Sequence, residues 1–454
     1  MTMPEVAEAA QRRWRWESLT GGAEILQEDA YRRLWLGRLF SHTALNAALF
    51  TLLVFAVGNG GSSIKSALFI TAYLLPTATL GTFSGVIVDR LPKHVVLALV
   101  NASRAGFMVL LLMTSTNLWF VYIVALLTAT TSQFAAPAEA AAVPQVVRSD
   151  QLTVANSTSN FGGLVSQIVG FAVLPPFFLN TIGGRPVFLI AAVLFSVSVI
   201  FFLGIDRLGT RKVDIDGTIE AVRDMRKQFA EGWETLKRDL AAYMSVVIVV
   251  LASAASLVAV TLMPAFTQET LDIPVRNAIF IFLPAAAGIV AGLRLVHLLE
   301  RRIQKQWLVG AGFVLLATAF VCMALTKPFG SVLEDMNPLG AFDPGPFGDT
   351  SARIVVAVVF STMAAFSFSV VGVASRSLVN ERMPLEIQGR VFAAQAVLAN
   401  LASIPPIMFA GILSELVGVE PVMSLTVFIL VGAAGWALLR ALSTPKGLGD
   451  DAEE

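Results

Sequence analysis

Long apolar runs broken by short charged turns account for most of the chain. Runs of spanning length fall at roughly 34–57, 66–88, 95–115, 118–136, 154–178 and 184–204, and again at roughly 241–266, 275–296, 307–325, 353–376, 390–417 and 419–442. An α-helix rises about 1.5 Å per residue and a bilayer's hydrocarbon core is about 30 Å thick, so each run predicts one membrane-crossing helix. The expected fold class is an all-α integral membrane protein with about twelve transmembrane helices in two six-helix halves. The organisation read from the pattern is a cytoplasmic N-terminal segment (1–33), a first half (34–204), a linker (205–240), a second half (241–442) and a cytoplasmic tail (443–454). Pro76, Pro175, Pro284 and Pro405 fall inside the runs, where neighbouring helices re-satisfy the backbone.

The breaks carry their own patterns. Between the second and third runs, Gly85-Val-Ile-Val-Asp89-Arg90-Leu-Pro92-Lys93-His94 is so short that the two spans must form a helical hairpin. In the linker, Ile219, Val222, Met225, Phe229, Trp233 and Leu236 recur at spacings of three and four, which predicts an amphipathic helix on the cytoplasmic face. It is read either as a coupling element or as a tether whose apolar stripe packs on the membrane domain. Thr326 to Ala352 holds Pro328, Pro338, Pro344 and Pro346, so this outer loop is expected to be irregular. The halves form a weak internal repeat: Asp89-Arg90 ends the second span, Glu300-Arg301 follows the eighth, and Gly81 and Gly85 echo Gly288 and Gly292. Two similar halves around a central cavity are a common transporter plan.

Composition agrees with the pattern and removes several function classes. The chain is 56% hydrophobic and 14% charged, against about 25% charged in soluble domains, so most of its surface must face lipid. Formal net charge is +0, which gives no reason to expect a nucleic-acid partner. The single Cys322 lies in an apolar run and supports neither a disulfide framework nor a cysteine metal site. About twenty mostly polar residues separate Arg12, Arg13 and Arg15 from the first apolar run, which is not the pattern of a cleaved signal peptide. With an N-terminus inside the cell, the inner segments and their helix ends hold about 24 of the 32 Lys and Arg residues. The outer loops hold Lys65, Arg185, Arg276, Lys327 and Arg353, so both termini are expected in the cytoplasm. No phosphate-cradling Gly-Lys-Ser/Thr loop and no His/Cys/Asp cluster with metal spacing is present, so neither an enzyme nor a cofactor or metal is expected.

Gly85-x-x-x-Asp89-Arg90-x-Pro92-Lys93 resembles the signature of the major facilitator superfamily between its second and third spans, with Pro92 in place of a glycine and His94 in place of a basic residue. Leu34 to Ser41, Phe134-Ala-Ala-Pro137-Ala138 with Pro144, Ala155-Asn156, and Met383 to Phe392 resemble a subgroup, the bacterial drug:H⁺ antiporters related to macrolide and siderophore exporters. The resemblance spans residues 31–442 and implies an alternating-access carrier in the bacterial plasma membrane. It also implies a gate. Asp89, with Gly85, Arg90 and Lys93 around it, would meet the positive N-terminal end of the eleventh span at Gly389-Arg390 and open when the carrier faces inward. A purely topological role for the charged turn is the alternative.

Polar groups inside the spans are the remaining candidates, because charge in the membrane is costly and marks function or a tight structural pair. Arg38, His42 and Asn46 fall at i, i+4 and i+8, on one face of the first span. His42 and Asn46 are candidate substrate contacts, His42 is a candidate proton site or a bonded structural histidine, and Arg38 is read as snorkelling to the interface. Asn156, Asn160 and Gln167 share a face of the fifth span, read as interhelical hydrogen bonds first and cavity lining second. Gln133, Ser253, Ser256, Gln395 and Asn400 are weaker cavity candidates. Arg104 lies about 14 Å into the third span and needs a partner, with Asn101 one turn before it, so the two are expected to be structural. Arg294, near the inner end of the eighth span, is expected to reach water or Glu300.

Related exporters often carry acids at places that fall here on Leu45 and Asn101. Glu139, Glu269, Asp272 and Glu415 stand near predicted span ends, so only His42, Glu139 and Glu415 are available to couple protons. The function expected is export of small amphipathic organic compounds. A proton-uncoupled carrier of a lipid-like or specific metabolite, and a transport-inactive sensor or assembly protein with the same fold, are the rivals. The expected partners are the bilayer, a small-molecule substrate and, under the coupled reading, protons.

Overall fold

The computed structural model describes residues 24–58, 61–114, 117–205, 233–300, 302–336 and 351–443. Among these residues ten helices are long and apolar enough to cross a membrane, and Ala285–Val296 and Val419–Ile429 are shorter apolar helices. This is the all-helical, multi-pass architecture expected. The chain groups into two compact units, Met1–Phe55 with Thr79–Val222, and Ala56–Ala78 with Arg223–Glu454. Helix α2 (Ser63–Asp89) gives its first part to the second unit and its last part to the first.

The first unit is built on α1 (Asp29–Val57), α3 (Lys93–Met113), α4 (Leu118–Val146), α5 (Leu152–Gln167), α6 (Leu174–Thr181) and α7 (Arg185–Leu203). Lipid tails are as apolar as leucine, so burial alone does not hold helices together there, and close backbone approach and interhelical hydrogen bonds do. Helix α1 follows α5 in this way. Tyr31 Oη donates to the Ala155 carbonyl at 2.7 Å, Trp35 Nε1 to Thr158 at 2.9 Å, and Ser166 Oγ to Leu39 at 3.0 Å. Beyond α5 a π-turn over Ile168–Val173 brings Gly170 against α1, where a Cβ would stand 2.6 Å from the Thr43 carbonyl oxygen.

Helix α4 runs ten residues past the end its apolar run predicts, through Pro137 and Pro144. Each proline removes one backbone donor, but alanine has the highest helix propensity. Ala135, Ala138, Ala142 and Val143 are buried in a cluster with Tyr31, Leu34, Val96 and Leu97. The continuation carries Glu139 inside the helix rather than beyond its end.

The second unit holds α8 (Leu240–Ala265), α9 (Ala278–Phe282), α10 (Ala285–Leu299), α11 (Lys305–Ala324), α12 (Thr326–Asp335), α13 (Ser351–Arg382), α14 (Leu385–Val417) and α15 (Val419–Ser443). Asp239 caps α8 by accepting from Ala242 N at 2.9 Å, and also meets Arg382 at 3.1 Å. The eighth span is two pieces, α9 and α10, broken at Pro284. Helix α10 lies on α13 through Gly288 and Gly292, the small-residue spacing that lets backbones approach.

Two sequence expectations change here. The outer loop is not irregular from its start: Thr326–Asp335 is helical, because Pro328 sits in the first turn, where its missing N–H would have no partner in any case. Residues 337–350 lie outside the described residues. Most of the expected linker helix, 206–232, also lies outside them. Its last stripe positions are described: Leu236 is buried with Val246, Val379, Met383 and Val391, and Trp233 packs against this cluster. That contact is the one the tether reading requires.

Replacing Gly288 with leucine should lower the detergent melting temperature by the equivalent of about 1–3 kcal/mol. The new Cβ would stand 2.3 Å from the Thr362 carbonyl oxygen, a backbone atom that cannot swing aside. Gly310→Ala, inside α11 with nothing within 4 Å of the added carbon, should instead raise the melting temperature by the equivalent of about 0.5–1 kcal/mol.

Candidate functional site

Arg38 and His42 are one helical turn apart on α1 and point to the same residue of α4, Glu139. Arg38 Nε donates to Glu139 Oε2 at 3.0 Å, and His42 Nε2 lies 3.0 Å from the same oxygen. With the imidazole proton on Nε2, two N–H donors meet one oxygen, an arrangement that fits an ionised carboxylate. The acid is the buried member, its side chain 8% exposed, against 25% for Arg38 and 39% for His42. Arg38 therefore does not simply snorkel, as the sequence suggested. It stands about 14 Å along α1 from Asp29, held by an acid that the extended α4 delivers.

Behind this cluster lies a second polar group. Arg104 is 2% exposed, and its guanidinium donates to Ser132 Oγ at 2.6 Å, Thr131 Oγ1 at 3.2 Å and Ser41 Oγ at 3.4 Å. Its charge lies over the Phe195 ring at 5.8 Å. Asn101 takes part through an intermediary: Ser41 Oγ donates to Asn101 Oδ1 at 2.6 Å, and Asn101 Nδ2 donates to the Leu97 carbonyl at 2.7 Å. The direct Asn101–Arg104 partnership read from their spacing is thus replaced by a relay through Ser41, because one turn along α3 turns both side chains toward α1 and α4. Ser41 lies beside His42 in sequence, so α1 carries both polar groups.

The other cavity candidates divide. Asn46, one turn beyond His42, is half-buried and makes no hydrogen bond among the described residues, while its Cβ backs onto Gly170. Gln133 Nε2 donates to the Ala129 carbonyl of its own helix at 3.2 Å. Asn156, Asn160 and Gln167 are exposed and form no interhelical hydrogen bond among the described residues. The packed face of that span belongs instead to Ala155, Gly162, Ser166 and Gly170, whose small size permits the approach of α1. The interhelical reading of the asparagine stripe is therefore corrected: those side chains lie to one side of the packed face. In the second unit, Ser253 and Ser256 donate to the carbonyls four residues back, Val249 at 2.8 Å and Ala252 at 2.9 Å. Gln395 Oε1 is buried without a partner, and Asn400 is half-buried without a hydrogen bond among the described residues. An apolar cavity of about 260 Å³ lies between α8, α14 and α15, lined by Ala254, Val258, Pro405, Pro406, Phe409 and Leu425.

The gate candidates also take distinct places. Asp89 is exposed at the end of α2. Lys93 is 4% exposed and does not project from the turn. Its ammonium donates to the carbonyls of Val88 at 2.7 Å, Asp89 at 2.8 Å and Leu91 at 3.1 Å. A cation placed on the last carbonyls of a helix satisfies groups that have no intrahelical partner. A Cβ added at Gly85 or at Gly389 would meet nothing within 4 Å among the described residues. Sequence reasoning passed over Gln388, beside Gly389 and Arg390, which donates to the Asn380 and Met383 carbonyls at 2.9 Å and closes the end of α13. Glu415 is a cap rather than a mid-membrane acid: it accepts from Ser62 Oγ at 2.6 Å and Ile64 N at 3.3 Å at the start of α2. Arg294 is exposed on α10 and makes no ion pair with Glu300.

Arg38→Met should lower the melting temperature more than Glu139→Gln. The first variant leaves a buried carboxylate without its guanidinium, at a cost of about 1–2 kcal/mol once the partial exposure of Arg38 is allowed for. The second leaves the more exposed cations in reach of water. A reversed order in detergent unfolding would refute the assignment of Glu139 as the buried partner.

Comparison with known proteins places this geometry. The model of the Major Facilitator Superfamily matches residues 34–406. No curated protein sequence matches the chain. Among solved structures, a single-residue variant of the nucleoside transporter NupG is similar over 91% of this chain and 99% of its own, with 14% identity and a TM-score of 0.67. A bacterial homolog of the human lysosomal transporter Spinster, inward-facing and unoccupied, covers 91% of this chain and 97% of its own at 13% identity and a TM-score of 0.67. A POT family transporter in complex with 5-aminolevulinic acid covers 91% and 96% at 10% identity and a TM-score of 0.63. Identities this low carry the fold alone. The family model, which spans most of the sequence, carries more: this chain belongs to the Major Facilitator Superfamily and is a transporter rather than an enzyme.

Proposed function

We propose that the protein is an alternating-access secondary transporter that exports small amphipathic organic compounds across a bacterial plasma membrane, with both termini in the cytoplasm and the His42–Glu139 pair as its proton-responsive element. The observation that carries this reading is the Arg38–Glu139–His42 cluster, an acid buried within a helix of spanning length whose partner histidine stays partly exposed. Ionisable groups within spans are expensive and mark transport pathways or proton relays. The imidazole and the carboxylate share one contact of 3.0 Å, so a proton gained by either changes the cluster. The distribution of Lys and Arg supports the orientation. Asp89, exposed at the end of α2, is assigned a conformational role.

A second reading, a proton-uncoupled carrier of a lipid-like compound, draws on the second unit. Its cavity is apolar, and its outer acids are engaged as caps and ion pairs, Glu415 on Ser62 and Glu420 on Lys327 at 2.9 Å.

Flux through proteoliposomes under an imposed pH gradient separates the two. The coupled reading expects flux to follow the gradient, and His42→Gln to flatten that dependence while leaving the protein folded. Gradient-insensitive flux favours the uncoupled carrier, and absence of flux for a broad panel of amphipaths favours a transport-inactive protein. Asp89→Asn should insert normally and turn over at least about tenfold more slowly, a factor worth about 1.4 kcal/mol; normal turnover would remove Asp89 from the gating role.

A further inference from the structure

The cluster on α1 and α4 has a polarity that transport alone does not require. Its acid is the innermost member and its cations face the open side: Glu139 is buried, and Arg38 and His42 are the exposed groups. Charged side chains within spans do not face hydrocarbon, so the open side is aqueous. A solute arriving from that side meets the guanidinium and the imidazole before the carboxylate.

The charge is also unbalanced. Among the described residues, the charged groups that bear on Glu139 are Arg38, His42 and Arg104, with no second carboxylate among them. Two guanidiniums against one carboxylate leave one positive charge with His42 neutral, and two with His42 protonated. Arg104 is buried behind Ser41, Thr131 and Ser132 and cannot itself reach a ligand. Its field is fixed and reaches Glu139. An excess of fixed positive charge beside an aqueous opening concentrates anions.

Both N–H donors converge on one oxygen, Oε2, although a guanidinium and an imidazole can together hold two oxygens of an anion in a fork. We propose that Arg38 and His42 form the receptor for the anionic head of an amphipathic organic anion, a carboxylate in the first instance, and that Glu139 is an internal stand-in that occupies the receptor when it is empty. This rests on the transporter reading above and names its substrate class. The exchange breaks no covalent bond. The incoming carboxylate takes the Arg38 Nε–H and His42 Nε2–H donors, and Glu139, left buried without them, takes a proton from the aqueous side. Anion and proton then bind together rather than in competition, so this substrate leaves down its own gradient with a proton and is not driven out by proton antiport. The charged groups facing Glu139 are Arg38 and His42 from α1 and, farther off, Arg104 from α3. Protonation of Glu139 favours the anion.

The test uses the purified full-length protein in nanodiscs with two probes of matched body, 2-naphthoate and 2-naphthylmethylammonium. Naphthoate should bind at least about tenfold more tightly than the ammonium probe, and its affinity should rise as the pH falls from about 7.5 to about 5.5, because the buried Glu139 takes up a proton when the anion takes its partners. E139Q should raise naphthoate affinity about tenfold at the higher pH by removing the competitor, and should flatten its pH dependence. R38M should abolish binding; should it fail to fold, E139Q alone decides. No saturable naphthoate binding, a preference for the ammonium probe, or an unchanged affinity in E139Q would each overturn the proposal. Proteoliposome flux keeps the two readings apart. Transport of neutral or cationic amphipaths without anion preference sinks the anion receptor and leaves the transporter, whereas specific naphthoate binding without flux of any probe sinks the transporter and leaves the receptor.

Discussion

A carboxylate inside a bilayer is tolerated only where cations or donors surround it, and Glu139 is where the first unit meets that demand. Placing it correctly requires three things at once. Helix α4 must continue through Pro137, α1 must present Arg38 and His42 on one face, and α1 must sit close enough for 3.0 Å contacts. The last condition is met on the neighbouring face of α1, where Gly162, Ser166 and Gly170 of the fifth span let the backbones approach. Small residues on one face thus fix the position of charged ones on the next. A charge pair of this kind adds little net stability compared with a well-packed apolar core, but losing one member is costly. It acts as a constraint on register more than as a source of folding energy.

The second unit solves a similar problem with backbone groups. Its breaks at Pro284 and after Ala265, and the helix ends at Asp239 and Gln388, leave carbonyls and amides that hydrocarbon cannot satisfy. Side chains from neighbouring segments supply the missing partners: Glu415 on the start of α2, Gln388 on the end of α13, and Glu420 with Thr270 and Lys327 at the outer end. Glu415, an acid that looks available for chemistry in the sequence, is in this unit occupied in starting a helix, and Asp272 and Glu420 are in ion pairs.

Much of the fold was legible from hydropathy, because a spanning helix is defined by a local property, the length of an apolar run. The limits lay where a helix outlasts its apolar run, as α4 does past residue 136, or starts on polar ones, as α12 does. The candidate site was legible only in part. The shared face of Arg38 and His42 follows from their spacing, whereas their joint partner lies 101 residues from Arg38, and no local pattern encodes that pairing. The asparagine stripe of α5 shows the opposite failure. Its periodicity is real, but a helix has more than one face, and spacing alone did not say that the small residues beside it would be the packed ones.

The buried Lys93 has a mechanical consequence. One ammonium holds three carbonyls across the turn between α2 and α3, so the last turn of one helix and the first of the next cannot part without breaking all three bonds together. The turn behaves as a stiff elbow. Arg104 stands about three turns further along α3, so one uninterrupted helix joins the elbow to the polar groups of α1.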